Sequence, residues 1–99
     1  MNSFRELLQS GKPVLVDFSA EWCGPCQMMP PILKELKTAM GDKVTIVKID
    51  IDKNPDLSRQ FAVQSVPTLM LFQDSQVKWR QSGVIPAKQI QQILEQKMG

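Results

Sequence analysis

Apolar positions along the chain follow two different rhythms, one of strands and one of helices. From Pro13 to Phe18 (Pro-Val-Leu-Val-Asp-Phe) the residues are β-prone and apolar on both faces, as in a central strand covered on each side. Lys43–Ile49 reads as a second strand and Thr68–Phe72 as a third. Gln76–Gln81 reads as a fourth, with Val77 and Trp79 alternating against Lys78 and Arg80. Between the strands the period becomes helical. Met28, Met29, Ile32, Leu33, Leu36 and Met40 line one face of a helix of about four turns that Gly41 ends. Pro25 suits its first turn, whereas Pro30 and Pro31 are expected to kink it, because each removes a backbone donor and crowds the preceding turn.

Three shorter helices complete the pattern. Ser3-Phe4-Arg5-Glu6 reads as a capping box, with Phe4, Leu7 and Leu8 on one face and Gly11 as the stop. Asn54 is the expected N-cap of a helix that Pro55 opens and that runs to about Phe61. Pro86 starts the last helix, whose face is Ala87, Ile90, Ile93, Leu94 and Met98. The order α β α β α β β α implies a parallel strand pair first and an antiparallel hairpin last. The expected fold class is α/β: one domain over residues 1–99, with a mixed four-stranded sheet and helices on both faces.

Composition narrows the functional classes. A chain of 99 residues buries roughly 65% of its unfolded surface, enough for a core without staples. The net charge of +2 is small and its basic residues are interspersed with acids, which speaks against nucleic acid as the main partner. No apolar run approaches the ~20 residues of a membrane helix. Met1–Gly11 lacks the apolar region of a secretory signal, so the chain reads as cytoplasmic.

Both cysteines of the sequence lie in Trp22-Cys23-Gly24-Pro25-Cys26, between the first strand and the long helix. As a structural staple the pair is weak: closing a loop of about four residues is worth roughly 2 kcal/mol before strain, against about 3 for 15 residues. A closed zinc site takes four ligands, and the chain offers two thiols and no histidine, so it would need carboxylates or a second subunit. A redox role has positive support. Cys23 stands at a helix N-terminus, which favours an anion and lowers a thiol pKa from ~8.5 toward ~7. That raises the thiolate fraction about sixteenfold and lowers intrinsic nucleophilicity about fivefold, a net gain of about threefold. Docking and positioning must supply the rest of the rate.

Cys26, one turn on, is expected to be the more enclosed thiol and to suit a resolving role. Asp17, the anomaly in an apolar strand, should be buried with a raised pKa and is the candidate base for the Cys26 proton; a strand-end acid held by backbone donors is the plainer alternative. Asp50-Ile51-Asp52-Lys53-Asn54 imitates a calcium loop, yet its sixth position is Pro55 and its twelfth Phe61, where Gly and Glu are required. Met28, Met29 and Met40 read as core filler.

Taken together, Val-Asp-Phe-x-Ala-x-Trp-Cys-Gly-Pro-Cys from Val16, Pro31, Asp52-x-Asn54-Pro55, Val66-Pro67-Thr68 and Gly83 resemble the thioredoxin family over almost the whole chain. The resemblance implies Cys23 as attacking and Cys26 as resolving cysteine, Asp17 as the buried acid with Lys48 near it, and Pro67 as the cis-proline beside the site. It implies a docking surface of Trp22, Gly24, Pro25, Ser65, Val66, Gly83 and Val84, with the Val66 backbone pairing to an extended substrate. The implied activity is reduction of protein disulfides by a monomer with no cofactor of its own, recharged by a flavin-dependent, NADPH-using thioredoxin reductase. Gly24-Pro25 favours a potential near about −270 mV, a value general to thioredoxin. A binding or assembly subunit on the same fold is the alternative reading. Some features depart from the family pattern. Lys43–Ile49 is expected at a sheet edge, because the family's usual first strand has no counterpart ahead of it. Pro30 adds a second proline, Asp74-Ser75 takes the place of Asn-Gly or Asp-Gly in the hairpin turn, and Gln27 stands where a basic residue is common.

Overall fold

Asp17 sits on an inner strand of a four-stranded sheet. The computed structural model describes residues 2–99, with side chains from Phe4 onward. Strand β1 (Val14–Ser19) is buried at every position, because it has a strand on each side and helices on both faces. It pairs in parallel with β2 (Thr45–Asp50), setting Asp17 opposite Lys48. On its other side it pairs antiparallel with β3 (Thr68–Gln73), setting Asp17 opposite Leu69. Strand β4 (Gln76–Ser82) completes the order β2-β1-β3-β4, so β2 lies at an edge as expected. Lys48 near the middle of that edge puts a charge where another strand would otherwise add.

Alternation along β1 and β3 divides the core in two. Leu15, Leu69 and Leu71 meet Met29, Leu36 and Met40 of α2 (Met29–Met40) and Ile90 and Leu94 of α4 (Ala87–Lys97). Val14, Val16, Phe18, Met70 and Phe72 face Phe4, Leu7 and Leu8 of α1 (Asn2–Gln9) and Leu57 of α3 (Pro55–Gln60). Phe72 anchors this second layer, edge-on to Phe4 at 6.0 Å and to Phe61 at 5.1 Å. Each fully buried Leu, Ile or Phe contributes about 1.5–3 kcal/mol.

Several local expectations change. The capping box rests on the Ser3 side chain, which lies outside the described residues. The segment after the cysteines is not one helix but a 3-10 turn at Pro25–Met28 followed by α2. Pro30 and Pro31 explain the break. In a continuous α-helix their amides would bond the Cys26 and Gln27 carbonyls, and proline has no such donor. The Met29 N–H bonds the Cys26 carbonyl instead, and both prolines end up in the first turn of α2, where a missing donor costs nothing.

Smaller corrections concern caps and the last strand. Asn54 occupies the N-cap of α3 without a side-chain cap; its Nδ2 donates to the Asp50 carbonyl at 3.0 Å. Pro86 is the N-cap of α4 rather than its first residue. Val77 is exposed, and a bulge shifts the register: Trp79 pairs with Leu71 but Val77 with Phe72, so the two no longer share a face. Asp74 (φ 55°) and Ser75 (φ 63°) supply the left-handed turn without a glycine.

Candidate active site

The two cysteines are carried by the loop that leaves β1 and by the 3-10 turn that follows it. They are joined as a disulfide with Cα atoms 5.3 Å apart. Gly24 caps the turn and Pro25 opens it, so Cys23 stands two residues before a single tight turn and not at the end of a long dipole. What reaches its sulfur is one specific donor: the Cys26 N–H points at Cys23 Sγ, 3.1 Å away. After reduction the same N–H faces any thiolate formed on Cys23, an interaction that favours the charged form. In the oxidised pair the difference in enclosure expected between the cysteines is marginal, with Cys26 3% and Cys23 4% exposed. Both are covered by Ala20, Ile51 and Val66.

A second loop completes the site. The Val66–Pro67 peptide is cis, and the Val66 carbonyl oxygen lies 3.5 Å from Cys23 Sγ. This loop is pinned from below by Thr68 and by Ser82, of which the sequence motifs single out only Thr68. Buried Thr68 Oγ1 donates to the Ser65 carbonyl at 2.7 Å and lies 2.9 Å from Ser82 Oγ. Ser65 Oγ bonds Ser82 Oγ at 3.1 Å, and the Gly83 N–H bonds the Pro67 carbonyl at 2.8 Å. The structure therefore brings Ser65, Val66, Pro67 and Gly83 together, with Val84 beside Gly83 and packed against the α2–α4 core. Gly83 adopts φ +99°, a conformation that side chains rarely take.

The outer rim is Trp22, 69% exposed yet fixed in place. Its Nε1 donates to Asp52 Oδ2 at 2.7 Å, and neighbouring Glu21 pairs with Lys53 at 3.2 Å. Asp50 shapes that loop by accepting the amides of Asp52 and Lys53 at 2.8 and 3.1 Å, so the apparent calcium motif works as a turn. Gly24 is exposed with φ −59°, and a Cβ there would meet nothing within 4 Å. Glycine is therefore not required by the fold at this position, and its effect is to leave the surface beside the disulfide flat. A groove of about 550 Å³ lined by Phe4, Leu8, Leu57 and Phe61 lies at α1 and α3, away from the cysteines. The cysteines do not line that groove.

Asp17 lies on the α2-facing side of β1, the side of Leu15, and is 1% exposed. Burial raises its pKa to about 6 from 3.8, against a smaller opposing pull from Lys48. Lys48 itself is exposed on β2, across the parallel register from Asp17. Asp17 Oδ1 and Ser19 Oγ are buried with no hydrogen-bond partner among the described residues, so the plainer reading of Asp17 as an acid held by backbone donors lacks its bonds at that oxygen.

Comparison with known proteins agrees with this geometry. A thioredoxin family model matches residues 1–96. A thioredoxin of Rhodospirillum rubrum is 47% identical over 94 residues, which are 94% of this chain and 90% of that protein. Thioredoxin Y2, chloroplastic, of Arabidopsis thaliana is 46% identical over 98 residues, 98% of this chain but 59% of that longer protein. The bifunctional thioredoxin reductase/thioredoxin of Mycobacterium leprae is 49% identical over 73 residues, 74% of this chain and 16% of that protein. With a Cys-x-x-Cys disulfide set between two backbone loops and a family match along nearly its whole length, the chain belongs to the thioredoxin family and is a thiol–disulfide oxidoreductase of the protein-disulfide-reductase kind.

Proposed function

We propose that the reduced protein attacks substrate disulfides through Cys23 and completes the exchange through Cys26. The Cys23 thiolate displaces one substrate thiolate and forms a mixed disulfide. Cys26 then gives its proton to the Asp17 carboxylate, attacks Cys23 Sγ and releases the second substrate thiolate. Two electrons pass to the substrate, and the Cys23–Cys26 disulfide remains. The observation that carries this assignment of roles is the Cys26 N–H directed at Cys23 Sγ, which favours negative charge on Cys23. Asp17 suits the base role because a group with pKa about 6 is largely ionised at pH 7 and still basic enough to accept a proton. Lys48, across the strand pair, tunes that charge.

The substrate side follows from the same surface. Trp22, Gly24 and Pro25 on one loop and Ser65, Val66, Gly83 and Val84 on the other form a flat, mostly apolar rim. The Val66 backbone beside Cys23 suits pairing with an extended segment around the substrate cysteine, and Pro67 holds that strand-like edge. Such a surface fits protein disulfides better than a small molecule. As electron donor we propose a flavin-dependent, NADPH-using thioredoxin reductase; the Mycobacterium leprae relative, by its name, carries a reductase and a thioredoxin in one protein. The protein is read as a cytoplasmic monomer, which a reducing dithiol and its relatedness to bacterial thioredoxins support.

The test uses two cysteine variants in NADPH-coupled insulin reduction with a bacterial thioredoxin reductase. Cys23→Ser abolishes turnover and captures no substrate. Cys26→Ser accumulates a covalent adduct with insulin. An adduct on Cys23→Ser and none on Cys26→Ser would reverse the roles. A glutathione titration of the pair belongs beside it: a midpoint near about −270 mV supports a reductant, and one well above about −200 mV argues for an oxidase or isomerase.

A further inference from the structure

Strand β2 is an edge of the sheet, and the bonds it makes inward define its outward side. The Thr45 N–H donates to the Pro13 carbonyl at 3.0 Å and the Ile51 N–H to the Ser19 carbonyl at 2.9 Å. Backbone groups alternate along a strand, so Val47 and Ile49 also point to β1. Ile46 and Lys48 then turn both N–H and C=O away from the sheet. The open stretch ends at Asp50, whose carbonyl already accepts Asn54 Nδ2 at 3.0 Å. Beside this edge lies a groove of about 320 Å³ lined by Phe4, Leu7, Val47, Ile49 and Leu57, all but Ile49 half-buried. Val47 and Ile49 belong to the α1–α3 face of the sheet. Lys48, on the opposite face, is exposed and makes no ion pair among the described residues.

We propose that β2 is a docking edge for an extended segment of another protein with the pattern apolar–acidic–apolar. The outward amides and carbonyls of Ile46 and Lys48 form a row that extended backbone matches. In the antiparallel sense, the stronger per residue, the segment residue facing Lys48 exchanges both backbone bonds with it, and opposed side chains share a face. The residues facing Val47 and Ile49 therefore enter the groove against Phe4, Leu7 and Leu57. The residue between them lies beside the Lys48 side chain on the other face. A carboxylate there meets the ammonium, whereas a basic residue repels it. The charge that keeps other strands off this edge is thus the one that selects what it admits. The surface stands apart from the cysteine chemistry, yet β2 ends two residues before Asp52, which holds Trp22. A partner seated on β2 therefore leaves it beside the cysteine rim, where a second anchor raises the effective concentration of any disulfide the partner carries.

The experiment titrates the oxidised, isotope-labelled protein with the peptide acetyl-Ser-Thr-Val-Glu-Leu-Thr-Ser-amide and reads amide NMR shifts and hydrogen exchange. Without peptide the Ile46 and Lys48 amides should exchange fast and those of Val47 and Ile49 slowly. At saturating peptide the first two should be protected about tenfold or more, with shifts gathered on β2, Leu7 and Leu57. Replacing the peptide glutamate by lysine should weaken binding about fivefold, and Lys48→Glu should reverse that preference. N-methylation of the peptide glutamate leaves the protein untouched, removes one ladder donor and should weaken binding about tenfold. Three results would each overturn the proposal: Ile46 and Lys48 amides unprotected at millimolar peptide, shifts confined to Trp22 and Val66, or protection that rises with protein concentration alone, as a second copy on the edge would give. None of these readouts depends on Cys23 or Cys26 as nucleophile, so the redox roles stand or fall separately.

Discussion

Trp22 Nε1 donates to Asp52 Oδ2 at 2.7 Å, tying the residue before the first cysteine to the loop that follows β2. The bond spans 30 residues of sequence and ends on a side chain that is otherwise exposed. An indole left 69% in solvent would sample several rotamers if it were free. Held in this way, it presents one face beside the disulfide at little entropic cost on docking. Asp52→Ala should therefore lower kcat/KM for a protein disulfide about three- to tenfold, with little change in kcat, because it removes preorganisation and not chemistry. Steady-state insulin reduction checks this, and Trp22 fluorescence anisotropy should fall in parallel. An unchanged kcat/KM would mean that the rim orders itself without the bond.

The loop opposite has its own support. Thr68 Oγ1 holds the Ser65 carbonyl at 2.7 Å and meets Ser82 Oγ at 2.9 Å, and Thr68 is 1% exposed. Thr68→Val keeps the shape and removes the hydroxyl, leaving a carbonyl and a serine without their partner. The expected loss is about 1–2 kcal/mol in denaturant unfolding. Because the segment from Ser65 to Pro67 carries the backbone beside Cys23, protein-disulfide reduction should slow as well, while the redox potential of the pair stays within about 10 mV of wild type. A variant as stable and active as wild type would show that the hydroxyl network does not support this loop.

The effect of Pro30 in the structure is opposite to the one its position in the sequence suggests. Treated as interior to one long helix it would cost ~3 kcal/mol. It instead lies in the first turn of α2, after a 3-10 turn that its own missing donor and that of Pro31 help to create. Pro30→Ala should change stability by less than about 0.5 kcal/mol, since the Cys26 carbonyl that a new amide would seek already accepts from the Met29 N–H. Urea unfolding of the single variant decides it. A gain or loss beyond about 1 kcal/mol would show that the junction is strained.

Much of this was readable from the chain, for definable reasons. β1 announced itself because covered strands must be apolar throughout, and Asp17 stood out against that rule. Element order gave the mixed sheet, since a strand–helix–strand unit and a tight hairpin each admit one sense of pairing. What stayed hidden depends on contacts distant in sequence or on choices between close alternatives. Asp52 and Thr68 carry no local signal of the partners they hold. Val77 alternates with Trp79 as a strand residue should, and only the bulge, set by pairing to β3, puts the two on opposite faces. The near-equal burial of Cys23 and Cys26 depends on Ile51 and Val66, which arrive from other segments.

Asp17 also links function to stability in a way that pH exposes. Its pKa is raised to about 6 in the fold, from an ordinary value of 3.8 that the unfolded chain should show. Between these values the folded state holds more protons than the unfolded state, so stability falls as pH rises through the window. Below about pH 4 the residue is neutral in both states and imposes no penalty. Above about pH 6 the full cost of a buried charge applies, on the order of 2–3 kcal/mol for a shift of this size. Asp17→Asn removes that charge. The variant should be more stable than wild type by about 2–3 kcal/mol at pH 8 and nearly equal to it at pH 4, as measured by guanidinium unfolding at both pH values. It should at the same time resolve mixed disulfides at least tenfold more slowly at pH 7. A variant less stable than wild type at pH 8 would show that the carboxylate is satisfied by partners of its own and is not held at a cost to the fold.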